Sequence, residues 1–166
     1  MQRYFLNQAY QPTVEISGEP HHHMSRVMRM TVGDQVFLVF NDQVAIKAII
    51  RGIDNDKVTL EEVEKEQLQR ELPISITIAS GFPKGEKLEL IIQKGTELGA
   101  CHFLAFPGES SVAKWDAKKQ LKKQQRLNKI AQEAAEQSHR QVLPKVRFIS
   151  EKELIASFTE YDAVLI

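Results

Sequence analysis

The chain has 166 residues, of which 42% are apolar and 27% charged. This composition is typical of a folded globular protein and excludes disorder as the default interpretation. The formal net charge is zero, but residues 114–147 carry 10 Lys and Arg against 3 Asp and Glu. That local excess of positive charge predicts a polyanionic partner such as a nucleic acid.

Hydropathy and cysteine content narrow the class of protein further. The longest apolar runs, such as VFLVF at 36–40, are too short to cross a bilayer, so no membrane association is expected. The opening MQRYFLNQAY has no apolar signal-peptide core. Cys101 is the only cysteine, which excludes an internal disulfide and a multi-cysteine metal site and predicts a buried structural thiol. Together these features favour a reducing cytoplasm.

The first seventy residues carry the alternating and β-branched patterns of short strands separated by turns. Strands at this spacing predict a small antiparallel barrel. The stretch HHHMSRVMRM at 21–30 predicts one or more helical turns between two strands. The predicted strands are TVEIS at 13–17, QVFLVF at 35–40, QVAIKAII at 43–50 and KVTLEEV at 57–63.

The helical stretch at 21–30 contains three adjacent histidines and two arginines. Neighbouring histidines do not converge on one metal, and no acidic cluster accompanies them, so no metal site is expected. Arg26 and Arg29 are three residues apart and would share one face of a helix. We expect this pair to bind a nucleic-acid backbone.

The charged stretch at 61–73 is predicted to form the end of the barrel and a linker. Beyond it the pattern changes to alternating strands and helices, which predicts a parallel sheet with right-handed crossovers. The helix at 86–99 would bury Leu88, Ile91, Ile92 and Leu98 and end at Gly99. The other predicted elements are strands at 74–80, 101–106, 145–150 and 161–166, a long helix from an Asp116 N-cap to about Arg140, and a short helix capped by Ser150.

The long helix has two different faces. A core face is predicted from Leu127, Ile130, Ala131, Ala134, Ala135 and Ser138, and the opposite face carries Lys118, Lys119, Lys122, Lys123, Arg126 and Lys129. Six cations in the N-terminal half oppose the helix dipole. They favour a surface for RNA phosphates, to which Lys114 would contribute, over the alternative of a solvated face.

A glycine-containing loop, SGFPKGEK at 80–87, lies between a predicted strand and a predicted helix. Lys84 would reach a phosphate there, near the helix N-terminus. The alternative is a plain strand-to-helix turn, because the spacing is not that of a P-loop. The residues alone therefore indicate a nucleic-acid-binding protein and name no reaction.

Several blocks of the sequence, taken together, carry a resemblance. They are QRYF at 2–5, HHHMSRVMRMTVGD at 21–34, FPKGEKLELIIQKGTELG at 82–99, ESSVAKWD at 109–116, and KIAQEAAEQSHR at 129–140 followed by LPKV. In this order they resemble the RsmE family, the SPOUT-class methyltransferases that act on uridine N3 of small-subunit ribosomal RNA.

The resemblance implies an α+β protein of two domains. Residues 1–72 would form a PUA-like β-barrel that binds RNA, and residues 73–166 the first part of a SPOUT domain with a Rossmann-like parallel sheet. Members of this family bind S-adenosylmethionine in a C-terminal trefoil knot and act as homodimers on the small ribosomal subunit. The knot and its glycine-rich cofactor loops are expected beyond Ile166, so the chain would represent about the first two thirds of a member.

The resemblance also implies roles for the end of the long helix. Arg140 would stabilise the developing anion or hold a phosphate, with Glu136 as a second catalytic candidate and Gln137 and Ser138 in the active-site neighbourhood. The alternative is that Glu136 and Arg140 pair at i and i+4 on the helix. A non-catalytic RNA-binding module, made of the barrel and the basic helix, remains the rival function, and an α/β enzyme of another kind is a third.

Overall fold

The structure is a computed structural model of the chain that describes residues 1–67, 70–83, 85–108 and 117–166. The chain forms two compact units. The first unit contains Met1–Arg70 together with His139–Gln141, and the second contains Glu71–Ser138 and Val142–Ile166. The predicted domain boundary between residues 72 and 73 stays a prediction.

The first unit is built on a five-stranded sheet in the order β1-β3-β4-β5-β2. All neighbouring strands are antiparallel except β1 and β3, which run parallel. A short α-helix, α1 (Gly18–His22), and a π-helical turn (His23–Val27) follow β2. The strands are β1 (Arg3–Phe5), β2 (Thr13–Ile16), β3 (Gln35–Val39), β4 (Ala45–Ile53) and β5 (Val58–Lys65).

Alternation along the strands decides which side chains enter the core of the first unit. Val36 and Leu38 of β3 are fully buried in one hydrophobic cluster with Tyr4 and Met24. Because successive side chains of a strand point to opposite faces, Arg3 and Phe37 lie on the other face of the sheet. The two residues are register partners across the parallel pair β1 and β3.

Two edges of the first unit differ in how far the sequence predicts them. Strand β1 was not predicted, and it makes the sheet mixed, because a parallel neighbour is possible where a long connection separates two strands. The end of the barrel predicted within 61–73 is confirmed, since 61–65 belong to β5, which extends two residues beyond the predicted strand at 57–63. Charged residues there do not prevent a strand, because Glu61 and Glu64 form ion pairs with Arg51 and Lys47.

The second unit contains a three-stranded parallel sheet in the order β6-β7-β8, which confirms the predicted parallel sheet. Its hydrophobic cluster includes Leu88, Ile92, Phe103, Leu127 and Val146. The elements are β6 (Thr77–Gly81), α2 (Lys87–Glu97), β7 (His102–Phe106), α3 (Ala117–Gln137), β8 (Lys145–Phe148), α4 (Glu151–Ala156) and a 3₁₀ turn (Ser157–Glu160).

Two glycines fix how α2 packs and where it ends. A Cβ at Gly95 would lie 2.7 Å from the Phe103 ring and 2.8 Å from Ile78, so only glycine permits this close approach of helix and sheet. Gly99 has φ of 106° and terminates the helix as predicted. The predicted stripe is corrected at Leu98, which is 78% exposed because it lies in the C-terminal turn.

Side chains of α3 satisfy the backbone of strand β8. The Gln124 amide donates to the carbonyl oxygen of Val146 at 2.9 Å, and the Val146 N–H donates to Asn128 Oδ1 at 3.1 Å. The N–H and the carbonyl oxygen both belong to Val146 of β8. The helix therefore supplies the two hydrogen bonds that a further strand would make to this residue.

The C-terminal elements were predicted correctly in part. Ser150 caps α4 in a complete capping box with Glu153, as expected. The strand predicted at 161–166 is wrong, since these residues form no strand in the structure. Hydrophobic residues in sequence do not make a strand without backbone partners. Among the described helices, none combines the length and apolar character that a membrane crossing requires.

Candidate functional site

The turn that follows α3 carries the predicted catalytic arginine. The helix ends at Gln137, and the Ser138 N–H and hydroxyl both donate to the Ala134 carbonyl oxygen, at 2.9 and 2.6 Å. His139 then adopts the left-handed conformation, with φ of 56°. Arg140 is only 3% exposed. The predicted helix end at Arg140 is therefore corrected to Gln137.

Arg3 lies at the centre of a buried cluster that includes this turn. Its Nη2 donates to both carboxylate oxygens of Glu66, at 2.6 and 2.7 Å, and its Nη1 donates to the main-chain oxygen of Arg140 at 3.3 Å. The guanidinium carbon lies 5.0 Å from the centroid of the Phe37 ring, a cation–π distance. We call Arg3, Phe37 and Glu66 the arginine clamp.

His139 packs beside the arginine clamp. Its ring meets the Phe37 ring edge to face, with centroids 6.1 Å apart. Burial lowers the pKa of His139 from its ordinary value, and the positive charges of Arg3, Arg70 and the N-terminus lower it further against the opposing effect of Glu66. The imidazole is therefore held in its neutral form at neutral pH.

The other predicted residues of this region lie on α3 or at its end. Glu136 Oε1 accepts a hydrogen bond from the Gln132 amide at 2.9 Å, and Gln137 is exposed in the last turn of the helix. The helix ends at Gln137, so Arg140 lies beyond the helical segment that contains Glu136, and the alternative of a Glu136–Arg140 pair stays a prediction. The catalytic roles assigned to these residues stay predictions.

The basic face of α3 is divided by contacts with α2. Glu89 of α2 accepts from Arg126 at 2.9 Å and from Lys123 at 3.3 Å. Burial opposes the ionisation of Glu89, but these two hydrogen bonds outweigh it and hold the pKa of that carboxyl below its ordinary value. Lys118 and Lys122 are exposed. We call Lys118 and Lys122 the lysine face.

Between α2 and α3 lies a groove of about 820 Å³. Arg126 and Glu89 line it, together with Leu90, which is 56% exposed, and Gln137 near the helix end. A second, smaller groove of about 310 Å³ contains Phe82 and Phe148, which follow β6 and end β8. Ligands of parallel sheets bind beyond the carboxyl ends of strands, where this second groove lies.

The histidine-rich segment of the first unit points its side chains apart. His21 Nε2 lies 3.0 Å from the Asp54 carbonyl oxygen, and His23 Nδ1 lies 2.9 Å from the Tyr4 hydroxyl. Arg26 and Arg29 are both exposed. The shared helical face predicted for them is wrong, because the π-helical turn ends at Val27 and Arg29 is left-handed, with φ of 52°.

The remaining sequence predictions concern two lysines, a helix cap, the cysteine and a metal site. Lys84, Lys114 and the Asp116 cap lie outside the described residues. Cys101 is half-buried and not fully buried as predicted, with its thiol 3.7 Å from the Gly99 carbonyl oxygen. Within the described ranges, no three His, Cys, Asp or Glu side chains are grouped so as to hold a metal ion.

Sequence reasoning missed the arginine clamp. Arg3, Phe37 and Glu66 are separated by about thirty residues each, and no local motif connects them. One signal was available, since Arg3 is a charged residue next to Tyr4 and Phe5. An arginine in such a segment needs a partner when the strand is buried.

Comparison with known families identifies the class of the protein. The family profile described as "RNA methyltransferase domain" matches residues 70–166, and that described as "RNA methyltransferase PUA domain" matches residues 16–63. The fold and these matches define an RNA methyltransferase with a PUA domain. More specifically, the chain belongs to the ribosomal RNA small subunit methyltransferase E family, which confirms the resemblance found in the sequence.

Two relatives of that name show how much of the family the chain spans. The Bacillus subtilis protein is 45% identical over 172 aligned residues, which cover all of this chain and 67% of the relative. The Synechocystis protein is 34% identical over 139 aligned residues, which cover 84% of this chain and 44% of the relative. The chain thus spans about two thirds of one relative and less than half of the other.

Solved structures agree with the fold. The putative methyltransferase Lpg2936 of Legionella pneumophila was solved with bound S-adenosylmethionine and has a TM-score of 0.84 at 29% identity. The superposition covers 98% of this chain and 67% of the Legionella chain. The small subunit methyltransferase E of Neisseria gonorrhoeae, also bound to S-adenosylmethionine, has a TM-score of 0.85 at 23% identity, with 93% and 65% covered. These structures confirm the predicted two-part fold and the predicted cofactor for the family.

Proposed function

We propose that the protein methylates N3 of a uridine in small-subunit ribosomal RNA, with S-adenosylmethionine as methyl donor, in the cytoplasm. The observation that carries this proposal is the 45% identity, over the whole chain, with the Bacillus subtilis ribosomal RNA small subunit methyltransferase E. The two-part fold supports it, since a PUA domain precedes the methyltransferase domain in the sequence.

The reaction needs an N3 that has lost its proton. S-adenosylmethionine, when bound, supplies an electrophilic methyl group. Loss of the imide proton to solvent leaves negative charge on the uracil ring, and a positively charged donor close to the carbonyl oxygens stabilises that charge. Arg140 is the candidate, because a guanidinium at a mostly buried position acts at lower local dielectric than a surface cation. Glu136 or Gln137 would hold the edge of the base or another side chain.

RNA would bind through exposed cations on each unit. Lys118 and Lys122 project from α3 into solvent, and Arg26 and Arg29 are exposed on the first unit. Lys123 contributes less, because Glu89 neutralises part of its charge. Such contacts to phosphates position an RNA without reading its sequence. Lys84 and Lys114 are also proposed to contact phosphates.

The protein would act as a homodimer, as the resemblance to its family implies. Sedimentation of the full-length protein over a range of concentrations tests this part of the proposal. A sedimentation coefficient that stays at the monomer value throughout would contradict it.

Methylation of isolated small subunits by the full-length protein tests the proposal directly. We expect one methyl group per subunit on a uridine, detected by nucleoside mass spectrometry, and a reverse-transcription stop, because N3 methylation blocks base pairing. RNA binding without any methyl transfer would instead support a non-catalytic RNA-binding module. Methylation of a base other than uridine, or of a uridine atom other than N3, would contradict the proposed specificity.

A further inference from the structure

We propose that the arginine clamp positions the His139–Gln141 turn, so that Arg3, Phe37 and Glu66 act on methyl transfer through Arg140 and without touching the substrate. The inference rests on the function proposed above for Arg140. It assigns a positioning role to Arg3 of β1, Phe37 of β3 and Glu66, which directly follows β5.

The contact between Arg3 and the turn is made to the backbone. Arg3 Nη1 donates to the main-chain oxygen of Arg140, so this hydrogen bond fixes the path of the chain and does not involve the guanidinium of Arg140. A main-chain contact holds the Cα of a residue in place while its side chain serves another purpose. This is the arrangement expected of a positioning residue.

The turn also requires support from its surroundings. His139 is a non-glycine residue in the left-handed region, which costs on the order of 1 kcal/mol and persists only where neighbouring contacts determine it. Phe37 supplies such contacts, because Arg3 lies over its ring and the His139 ring meets it edge to face. The same aromatic ring thus links the clamp and the turn.

Stability alone is a poor explanation for a charged pair at this place. The side chain of Arg3 is 0% exposed and that of Glu66 is 6% exposed, and Arg3 Nε is buried without a hydrogen-bond partner among the described residues. Replacing a buried ion pair by apolar residues is often neutral or stabilising. An arginine at this position has a fork of donors that reaches both a carboxylate and a main-chain oxygen, which an apolar residue cannot do.

The first experiment measures the position of the turn by limited proteolysis. Trypsin cleaves after Arg140 only when the turn opens, and mass spectrometry resolves that product. We compare Arg3→Lys and Glu66→Gln with matched controls at the exposed pair, Arg51→Lys and Glu61→Gln, whose atoms are also 2.6 Å apart. Loss of a charge-assisted hydrogen bond should raise the cleavage rate after Arg140 by about tenfold or more, relative to cleavage at the other lysines and arginines of the same variant, which reports global unfolding. The control variants should leave this ratio unchanged.

The second experiment measures single-turnover methyl transfer and RNA affinity on the full-length variants. Misplacement of a reacting group lowers the rate of the chemical step by about tenfold to hundredfold. We expect Arg3→Lys to lower the rate at saturating substrate in that range while the Kd for RNA stays within about twofold of the wild-type value, since phosphate contacts lie elsewhere. Equal losses in the clamp variants and the control variants would overturn the inference.

Two further variants keep the outcome decisive. Phe37→Leu retains apolar volume and removes both ring contacts, so it replaces Arg3→Lys if that variant fails to fold. Wild-type cleavage after Arg140 in folded Phe37→Leu and Glu66→Gln would overturn the inference. If Arg140→Ala transfers methyl groups at the wild-type rate, the function proposed for Arg140 fails, and the kinetic part of the inference fails with it. The proteolysis result then still decides whether the clamp holds the turn.

Discussion

The lysine face of α3 and the turn at His139–Gln141 carry the two sets of predicted functional residues, and they differ in burial. Lys118 and Lys122 are exposed, whereas Arg140 is 3% exposed beside a buried ion pair. Flexible exposed cations attract phosphates at many positions and need little precision. A mostly buried arginine acts at one place, so its effect depends on the contacts that hold it.

The largest difference is expected in stability. Glu66→Gln leaves Arg3 buried without a counter-charge, which should lower the free energy of unfolding by about 3–5 kcal/mol. Glu61→Gln removes the partner of an exposed arginine and should change it by less than about 1 kcal/mol. Urea denaturation measures both free energies of unfolding. Similar losses in the two variants would show that burial does not determine how much stability depends on each ion pair.

The lysine face should dominate the salt dependence of RNA binding. Changing Lys118 and Lys122 together to glutamine should lower the slope of log K against log salt by about 0.7–0.9 for each phosphate that is no longer neutralised. Lys123→Gln should lower it less, since that lysine already pairs with Glu89. Fluorescence anisotropy at several salt concentrations measures the slopes. Unchanged slopes in the double variant would exclude the lysine face from the RNA surface.

A smaller effect concerns pH. The pKa of His139 is lowered in the folded protein, so the unfolded state takes up this proton first as the pH falls. The contribution of His139 to stability is therefore intact above its ordinary pKa of about 6.5 and is lost as pH falls through that value towards the lower folded pKa.

Replacing His139 tests this dependence. His139→Asn removes the titrating ring and keeps a residue that tolerates the left-handed conformation. The melting temperature of the wild type should fall more than that of His139→Asn between about pH 7.5 and pH 5.5, on either side of the ordinary pKa of histidine. An equal fall of the melting temperature in the two proteins over this pH range would contradict the assignment of the pH dependence to His139.

The sequence predicts those features of the molecule that follow from local pattern. Alternation identified β2, and a β-branched run identified β3. The Gly99 stop and the Ser150 cap of α4 were confirmed because each depends on a few adjacent residues. The lysines of α3 were also recognised locally, as a run of cations on one helix. Their charge predicted a nucleic-acid backbone as the partner, and the resemblance narrowed that prediction to ribosomal RNA.

The features that the sequence does not predict depend on distant residues. Strand β1 forms because β3 lies beside it, and Arg3 is buried because Glu66, 63 positions away, accepts its hydrogen bonds and balances its charge. The periodicity of apolar residues along the sequence carries no information on contacts between such distant residues. The false strand at 161–166 shows the converse, since its apolar pattern is present and backbone partners for it are absent from the described part of the chain.

Single-turnover methyl transfer by Arg140→Ala, at saturating ribosomal substrate and in the full-length protein, tests the central claim most directly. If Arg140 stabilises the charge that develops on the uracil, the rate should fall by about 10²–10³-fold, the loss typical of one missing anion-stabilising donor. RNA affinity should change far less, and Arg140→Lys should recover part of the rate. A wild-type rate in folded Arg140→Ala, or a loss confined to RNA affinity, would contradict the account.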